Sequence, residues 1–151
     1  MNLCSLISKE RISLNIDLKS KKKMLQYIAM LFSEKNCDIN KNLIFDALIN
    51  REKLGPTSVG KGVAIPHCRF DGCKEPLCAV VTLKNPINYD SKDNEKVDLI
   101  WALIVPKEYD NKHLEILSLL SKHLMEIDFC ESIRKSYDPK SLYNKLIQYK
   151  I

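Results

Sequence analysis

The residue with the clearest chemical potential in this sequence is His67, which follows the apolar run VAI at residues 63–65 and then Pro66. The apolar run predicts a short buried strand that ends at the proline, because proline has no N–H group to donate to a sheet. One neutral imidazole nitrogen is nucleophilic near neutral pH, so a histidine at the end of a strand can accept and pass on a phosphoryl group. The alternative interpretation is a core strand followed by an exposed histidine without such a role.

A glycine-containing loop before this strand could surround the oxygens of a phosphoryl group. Its backbone can turn N–H groups toward an anion, and two of its residues add hydroxyl groups. We expect this phosphoryl-binding loop to consist of Gly55, Thr57, Ser58 and Gly60. Arg51, in the last turn of a predicted helix, would face the loop with a planar guanidinium group.

A second histidine completes this candidate site. His113 falls in the first turn of a predicted helix, where unpaired N–H groups and the helix dipole favour an anion. It could donate a hydrogen bond to the phosphoryl group or hold His67 in place. Phosphoryl transfer depends on positioning and on positive groups around the oxygens, which Arg51, His67 and His113 could supply if they converge, with the glycine loop completing the pocket.

Cysteines offer two other chemistries. Cys68, Cys73 and Cys78 are spaced by five residues next to His67, which suggests a metal site, although the CxxC pairs of common zinc sites are absent. A thiol nucleophile would need Cys68 in contact with a histidine. Neighbouring strand residues point to opposite faces, so His67 is poorly placed for that role and only His113 stays conceivable.

Composition predicts one ordinary globular domain over residues 1–151. The chain is 45% hydrophobic and 28% charged, with a net charge of +5. It has neither a run of roughly 18 apolar residues nor a signal-peptide pattern at its start, so we expect no membrane insertion and a cytoplasmic location. The basic run KSKKK at residues 19–23 predicts a solvated helix face, and no nucleic-acid-binding module is recognisable. A mild positive charge suits an acidic or phosphorylated protein partner.

Hydrophobic periodicity predicts an α/β fold, a single layered domain in which helices flank a mixed β-sheet on both faces. The predicted elements are a strand or extended arm at 5–17, a helix capped by Ser20 and ending near Asn36, a helix from Asn40 to Lys53, strands at 63–65, 77–83 and 97–105, a long helix capped by Asp110 or Asn111, and a last helix after Asp138. Among the residues expected in the core are Leu43, Trp101, Leu114, Ile127 and Ile147.

The segment REKLGPTSVGKGVAIPH, residues 51–67, resembles the signature of the type-2 (mannitol/fructose-like) enzyme IIA domains of the bacterial phosphotransferase system. Within that family the chain is most similar to the stand-alone, nitrogen-related enzyme IIA branch. The later segments VDLIWALIVP and HLEILSLLSKHL match the family's core strand and the helix that follows it. The likeness extends over nearly the whole chain.

This resemblance implies a mixed sheet between helices, with His67 as the phosphoryl acceptor and with Arg51 and His113 neutralising and orienting the phosphoryl group. It implies an HPr-type phosphocarrier as donor, itself charged from phosphoenolpyruvate through an enzyme I, and no metal or organic cofactor. The protein would be a phosphohistidine carrier without independent turnover. Two departures affect the expected pocket: Pro56 replaces a serine or threonine, and Cys68 replaces the glycine after the histidine.

Two functions follow from the resemblance. In the first, the phosphorylation state of His67 controls binding to a regulated target protein, which suits a chain with no IIB or IIC segment. In the second, a sugar-system IIA component passes phosphate to a IIB partner. A metal-binding protein that uses His67 and the spaced cysteines is the third alternative. A weak homo-oligomer is compatible with each of them.

Overall fold

A mixed β-sheet of six strands forms the centre of the described part of the molecule, residues 2–34, 39–108 and 111–149 of this computed structural model. The strands are β1 (Ile12–Ile16), β2 (Ser58–Gly60), β3 (Val63–Ala64), β4 (His67–Phe70), β5 (Leu77–Ile87) and β6 (Val97–Pro106). Their order is β1-β5-β6-β3-β2, and β4 also pairs with β6. The β5–β6 and β2–β3 pairs are antiparallel, whereas β1–β5, β3–β6 and β4–β6 are parallel.

Helices cover both faces of this sheet, which confirms the predicted fold class. They are α1 (Lys21–Ser33), α2 (Lys41–Glu52), α3 (Lys112–Leu124), α4 (Ile127–Arg134) and α5 (Pro139–Tyr149), with short 3₁₀ turns at Leu3–Leu6 and Lys9–Arg11. Helices α1 and α2 pack on one face, and α3, α4 and α5 pack on the other. No helix among the described residues is long and apolar enough to span a membrane.

The central strand β6 supplies both hydrophobic cores, because successive side chains of a strand point to opposite faces. Ile100 and Ala102 belong to the core under α1 and α2. Leu99, Trp101 and Leu103 belong to the core under α3, α4 and α5. Burial on both faces explains why this strand reads as a continuous apolar run, and it confirms Trp101 as a core residue.

Side-chain caps begin the first two helices where the sequence predicts them. The Ser20 hydroxyl accepts a hydrogen bond from the backbone N–H of Lys23 (3.1 Å). The Asn40 side-chain oxygen accepts from the N–H groups of Asn42 (2.8 Å) and Leu43 (3.3 Å). Each cap satisfies N–H groups that have no partner inside the helix, so both N-termini are fixed by local sequence.

Several predicted boundaries lie elsewhere. Of residues 5–17, only Ile12–Ile16 form a strand. Pro66 does not end the strand pairing, because its carbonyl oxygen accepts a hydrogen bond from the N–H of Leu103 (2.9 Å), and β4 resumes at His67. Asn111 occupies the N-cap position of α3 without a capping side-chain bond. The predicted helix end at Asn36 and the alternative cap at Asp110 lie outside the described residues.

The predicted long helix after Asn111 is two helices, α3 and α4, and part of its predicted core stripe is exposed. Leu114 is 55% and Ile127 is 62% exposed, so their assignment to the core is wrong, as it is for Leu43 and Ile147. Leucines at every third or fourth position fit two adjacent stripes of a helix. The sheet selects the stripe of Ile116, which leaves Leu114 at the rim of a cavity described below.

Replacement of Trp101 by alanine should lower the free energy of unfolding by about 3 to 5 kcal/mol, because it removes a fully buried ring that packs 6.3 Å from the ring centroid of Phe129. Urea denaturation followed by circular dichroism measures this loss. The control is Tyr137→Ala, since Tyr137 is 83% exposed and its loss should cost less than about 0.5 kcal/mol. Equal unfolding midpoints for the two variants would contradict the assignment of Trp101 to the core.

Candidate active site

A cavity of about 590 Å³ lies where the end of α2 and the start of α3 approach strands β4 and β6. Its lining residues are Ala47, Asn50, Arg51, Leu54, His67, Cys68, Arg69, Leu103, Val105, His113, Leu114 and Leu117. The three residues that the sequence predicted to converge, Arg51, His67 and His113, therefore share one cavity. Each comes from a different element, so the fold brings them together rather than local sequence.

The backbone of β4 fixes the direction of the His67 side chain, and a carbonyl group just before β4 fixes its tautomer. Cys68 and Phe70 belong to the core under α1 and α2, so His67 faces the opposite side of the sheet. The Nδ1 atom of His67 lies 2.8 Å from the carbonyl oxygen of Ile65. Because a carbonyl oxygen can only accept, Nδ1 carries the proton of a neutral ring and Nε2 keeps its lone pair. Of the two ring nitrogens of His67, Nε2 is therefore the one with nucleophilic character.

The surroundings of His67 favour its neutral form. Burial lowers the pKa of His67 below its ordinary value of 6.5, and the Arg51 cation and His113 lower this pKa further. The hydrogen bond to Ile65 and the carboxylate of Glu52 act in the opposite direction on the pKa without reversing the shift. The imidazole is therefore neutral at neutral pH, as a nucleophile requires.

Arg51 lies in the last turn of α2 and faces the glycine that follows the helix. Its Nη1 atom donates a hydrogen bond to the carbonyl oxygen of Gly55 (3.2 Å), which confirms the predicted contact with that loop. This bond leaves other N–H groups of the guanidinium for an anion in the cavity.

Arg69 is a candidate site residue that the motif analysis missed. Its Nη2 atom lies 3.1 Å from Nδ1 and 3.4 Å from Nε2 of His113, in the first turn of α3. Arg69 is two residues after His67 on β4, so the two side chains lie on the same face of the sheet. Period-two alternation along the strand is the sequence signal that could have found it. The cavity thus has two guanidinium groups.

The predicted phosphoryl-binding loop is not among the residues that line the cavity. Ser58 and Gly60 belong to β2, which forms a hairpin with β3. Val63 and Ala64 pair with Leu99 and Ile100, whereas His67 pairs with Leu103, so the hairpin meets β6 about 10 to 13 Å along the strand from the position of the histidine. Of this loop, Gly55 alone contacts a predicted cavity residue, through its bond to Arg51. Thr57 is buried in a different network.

That network surrounds the carboxylate of Glu52, which is 8% exposed. Lys21 lies 2.9 Å from its Oε2 atom, and the N–H of Thr57 donates to the same oxygen (3.2 Å). The hydroxyls of Thr57 and Tyr89 both donate to Oε1, the second over 2.8 Å. The Lys21 ammonium also lies 4.1 Å from the centroid of the Tyr89 ring. Four segments of the chain meet at this carboxylate, next to Arg51.

The network shows that Lys21 is not part of the solvated helix face that the sequence predicts, and it explains why Tyr89 is protonated. Lys21 belongs to the run at residues 19–23 that predicts a solvated helix face, yet its side chain is only 20% exposed. Burial raises the pKa of Tyr89 far above its ordinary value, and the Glu52 carboxylate raises this pKa further. Tyr89 therefore stays protonated and acts as a hydrogen-bond donor to Glu52.

The cysteines do not converge on His67. Cys68 and Cys73 belong to the core under α1 and α2, whereas Cys78 belongs to the core on the other face of the sheet. The described residues contain no group of three or more histidine, cysteine, aspartate or glutamate side chains arranged to hold a metal ion. Burial raises the pKa of the Cys68 thiol to about 12, so this thiol is not a nucleophile near neutral pH. The geometry supports neither the metal site nor the thiol chemistry.

The two departures from the family signature fit the fold. Cys68 occupies a strand position whose side chain packs in the core under α1 and α2 and also lines the cavity, and it is not among the described residues with positive φ. A glycine is therefore not required there by the backbone. Pro56 stands between Gly55, which has a φ of 141°, and the buried Thr57. Neither side chain alters the hydrogen bond that orients His67.

A neutral histidine thus lies beside arginine side chains and a second histidine, in a cavity of a mixed sheet between helices. The chain belongs to the family described as "Phosphoenolpyruvate-dependent sugar phosphotransferase system, EIIA 2", whose model matches residues 5–149. It is 35% identical to a nitrogen regulatory protein of Pseudomonas aeruginosa over 97% of this chain and 96% of that protein. The crystal structure of the nitrogen regulatory protein IIA-Ntr from Neisseria meningitidis has a TM-score of 0.88 at 30% identity, covering 95% of this chain and 98% of that one.

Relatives from sugar systems are also similar. A fructose-specific EIIABC component of Bacillus subtilis is 30% identical over 89% of this chain, which corresponds to 21% of that larger protein. A complex of mannitol enzyme IIA with phosphorylated enzyme IIB from Escherichia coli shares the fold, with a TM-score of 0.70 at 16% identity over 91% of this chain and 97% of that one. The chain therefore has the phosphocarrier or regulatory role of an enzyme IIA component, and this family acts with phosphocarrier donors and IIB partners.

The neutral form of His67 should carry its proton on Nδ1, and its pKa should lie below 6.5, because the ring donates to Ile65 and is buried beside Arg51. Two-bond ¹H–¹⁵N correlation spectra recorded across a pH titration measure both properties. The variant Arg51→Gln should raise the pKa of His67, since the Arg51 cation lowers it. A proton on Nε2 in the neutral ring would contradict the assignment of the nucleophilic nitrogen.

The lowered pKa of His67 also makes the free energy of unfolding depend on pH. The unfolded chain binds a proton at this histidine more tightly than the folded chain, so the free energy of unfolding should fall as the pH drops below about 6.5. Urea titrations at pH 7.5 and pH 5.5 should show a smaller loss of stability for His67→Asn than for the wild type. Identical losses would indicate that the folded and unfolded chains share one His67 pKa.

Replacement of Lys21 by methionine should lower the free energy of unfolding by roughly 2 to 4 kcal/mol, because it leaves the buried Glu52 carboxylate without its cation. The matched control is Lys19→Met. Lys19 lies 3.0 Å from Asp17, but the two side chains are 78% and 51% exposed, so this pair should contribute at most about 0.5 kcal/mol. Urea denaturation of both variants measures the difference, and equal losses would argue against the Glu52 network as an anchor.

Proposed function

We propose that His67 accepts a phosphoryl group on Nε2 from an HPr-type phosphocarrier and that its phosphorylation state controls binding to a regulated target protein. One observation carries this proposal. The 2.8 Å hydrogen bond from Nδ1 of His67 to Ile65 leaves the Nε2 lone pair available in a cavity shared with Arg51 and His113. The chain's family membership supports the same chemistry.

The transfer needs no proton movement at the acceptor. The Nε2 lone pair of His67 attacks the phosphorus of the donor's phosphohistidine as the phosphorus–nitrogen bond of the donor breaks, and the electrons of that bond stay on the donor nitrogen. The His67 ring keeps its Nδ1 proton and gains positive charge. The Ile65 carbonyl oxygen accepts this N–H, so the existing hydrogen bond strengthens as the charge develops.

Arg51 and His113 would hold the phosphoryl oxygens, with Arg69 as a further cation. Charge on a transferring phosphoryl group is spread over its three outer oxygens, so several donors fixed in advance lower the barrier. Arg51 is held by Gly55, and Arg69 contacts His113. These contacts support positioned rather than freely rotating donors.

An apolar rim around the cavity supports contact with a donor protein rather than a free small molecule. Leu54, two residues after the end of α2, is 83% exposed, and Leu114 on α3 is 55% exposed. Both leucines line the cavity of His67. A protein that covers this rim would bury apolar surface and exclude water from the reacting groups.

A regulatory role is favoured over sugar transport because the relatives at about 35% identity over nearly the whole chain are nitrogen regulatory proteins. Transfer to a IIB partner is the second candidate, supported by the fructose-specific relative. We place the protein in the cytoplasm, where its donor would be charged, and treat residues 1–151 as one functional domain. Weak self-association stays a prediction.

The variant His67→Ala should accept no phosphoryl group, because it lacks the nucleophilic nitrogen. Intact mass, measured after incubation with phosphoenolpyruvate, an enzyme I and an HPr-type carrier, should show one acid-labile phosphoryl group on the wild type only. The variants Arg51→Ala and His113→Ala should slow transfer about 10- to 100-fold, and Arg69→Ala about tenfold. Unchanged rates in the first two variants would remove these residues from the site.

The same experiment, repeated with IIB domains added, distinguishes the two candidate functions. Phosphate that stays on His67 in the presence of IIB domains supports the regulatory role, whereas rapid passage to one IIB domain supports sugar transport. A phosphoryl group found on His67→Ala would overturn the assignment of the acceptor. His123→Ala serves as a control, because His123 packs against Phe129 rather than in the cavity.

A further inference from the structure

A second concave surface lies between α1 and α2. We name it the α1–α2 groove; its volume is about 380 Å³, and its lining residues are Leu18, Lys23, Gln26, Tyr27, Met30, Lys41, Asn42 and Phe45. Leu18, Tyr27, Met30 and Phe45 pack against the core under these helices. The Tyr27 hydroxyl also donates a hydrogen bond to Ser13 (2.8 Å), which helps to fix its ring. The apolar floor of the groove is therefore held in place by the core beneath it.

The charges on the α1–α2 groove are all of one sign among its described lining residues. Lys23 and Lys41 are exposed, and no carboxylate is among the described residues that line the groove. Asp17, next to Leu18, is paired with Lys19 over 3.0 Å. Lys23 lies in the first turn of α1 and Lys41 in the first turn of α2, where the helix dipoles add further positive potential. The groove therefore suits an anionic partner.

The lysines at the start of α1 oppose the stability of the helix. Three consecutive lysines, Lys21, Lys22 and Lys23, begin α1, and its first turn has no acidic residue. Positive charge at a helix N-terminus is unfavourable. The ion pair with the buried Glu52 accounts for a lysine at position 21. Within the described residues, Lys22 and Lys23 have no ion pair. Lys23 therefore carries a positive charge, at the rim of the groove, that no carboxylate among the described residues neutralises.

We infer that the α1–α2 groove docks an acidic, amphipathic segment of a partner protein. Apolar side chains of the segment would contact Tyr27, Met30 and Phe45, and its carboxylates would pair with Lys23 and Lys41. The apolar floor and the cationic rim match the two faces of such a segment, and the sequence contains no recognisable nucleic-acid-binding module. The inference goes beyond the proposed phosphoryl transfer, since none of these residues lines the cavity of His67.

The test uses a synthetic helical peptide of about 15 residues with leucines on one face and glutamates on the others. Its binding should shift the Met30 methyl resonance and the ring resonances of Tyr27 and Phe45, and the affinity should fall as salt is raised. The double variant Lys23→Glu/Lys41→Glu should weaken binding at least about fivefold. The control Lys140→Glu/Lys145→Glu makes the same change in net charge on exposed residues of α5 and should bind as the wild type does.

Other outcomes would overturn the inference. Absence of peptide binding would do so, as would equal weakening by the two double variants or resonance shifts confined to the cavity of His67. Binding of anionic lipid vesicles without binding of the peptide would assign the surface to a membrane instead. Thermal unfolding of the variants checks that the fold is kept. The His67→Ala variant should bind the peptide normally, so failure of the phosphoryl-transfer proposal is distinguishable from failure of this one.

Discussion

The buried carboxylate of Glu52 is the interaction on which the geometry of the site depends. A carboxylate removed from water is tolerated only when a cation and hydrogen-bond donors surround it, and Lys21, Thr57 and Tyr89 supply them. The three donors come from the start of α1, the segment before β2 and the segment after β5. The end of α2 is therefore tied to two distant parts of the chain and to the loop that follows it, and Arg51 is placed as a consequence.

A second constraint acts on His67 from the backbone. The sheet turns its side chain away from the core under α1 and α2, and the Ile65 carbonyl selects its tautomer. The two constraints are independent, because one places Arg51 and the other orients the ring of His67. Their meeting in one cavity requires that β4 and the end of α2 be packed together, which is a property of the whole fold.

Much of the fold could be predicted from local sequence. Ser20 and Asn40 cap helices because their side chains bond to nearby N–H groups, and the apolar run of β6 predicts a central strand. The buried face of α3 could not be predicted from the sequence, because its leucines form two adjacent apolar stripes. Only packing against the sheet determines which stripe is buried. Gly60 was predicted near His67 from closeness in sequence, whereas strand register separates them.

The break between β3 and β4 orients the ring of His67, although the sheet itself does not require this break. At residues 65 and 66 the chain leaves regular pairing, so the Ile65 carbonyl bonds to a side chain while Pro66 still pairs with β6. A protein with a regular strand at this point could keep the same sheet, the same helices and the same histidine and yet present the wrong ring nitrogen. In this family, overall similarity of fold is therefore a weaker guide to phosphoryl transfer than the directions in which the carbonyl groups of residues 65 and 66 point.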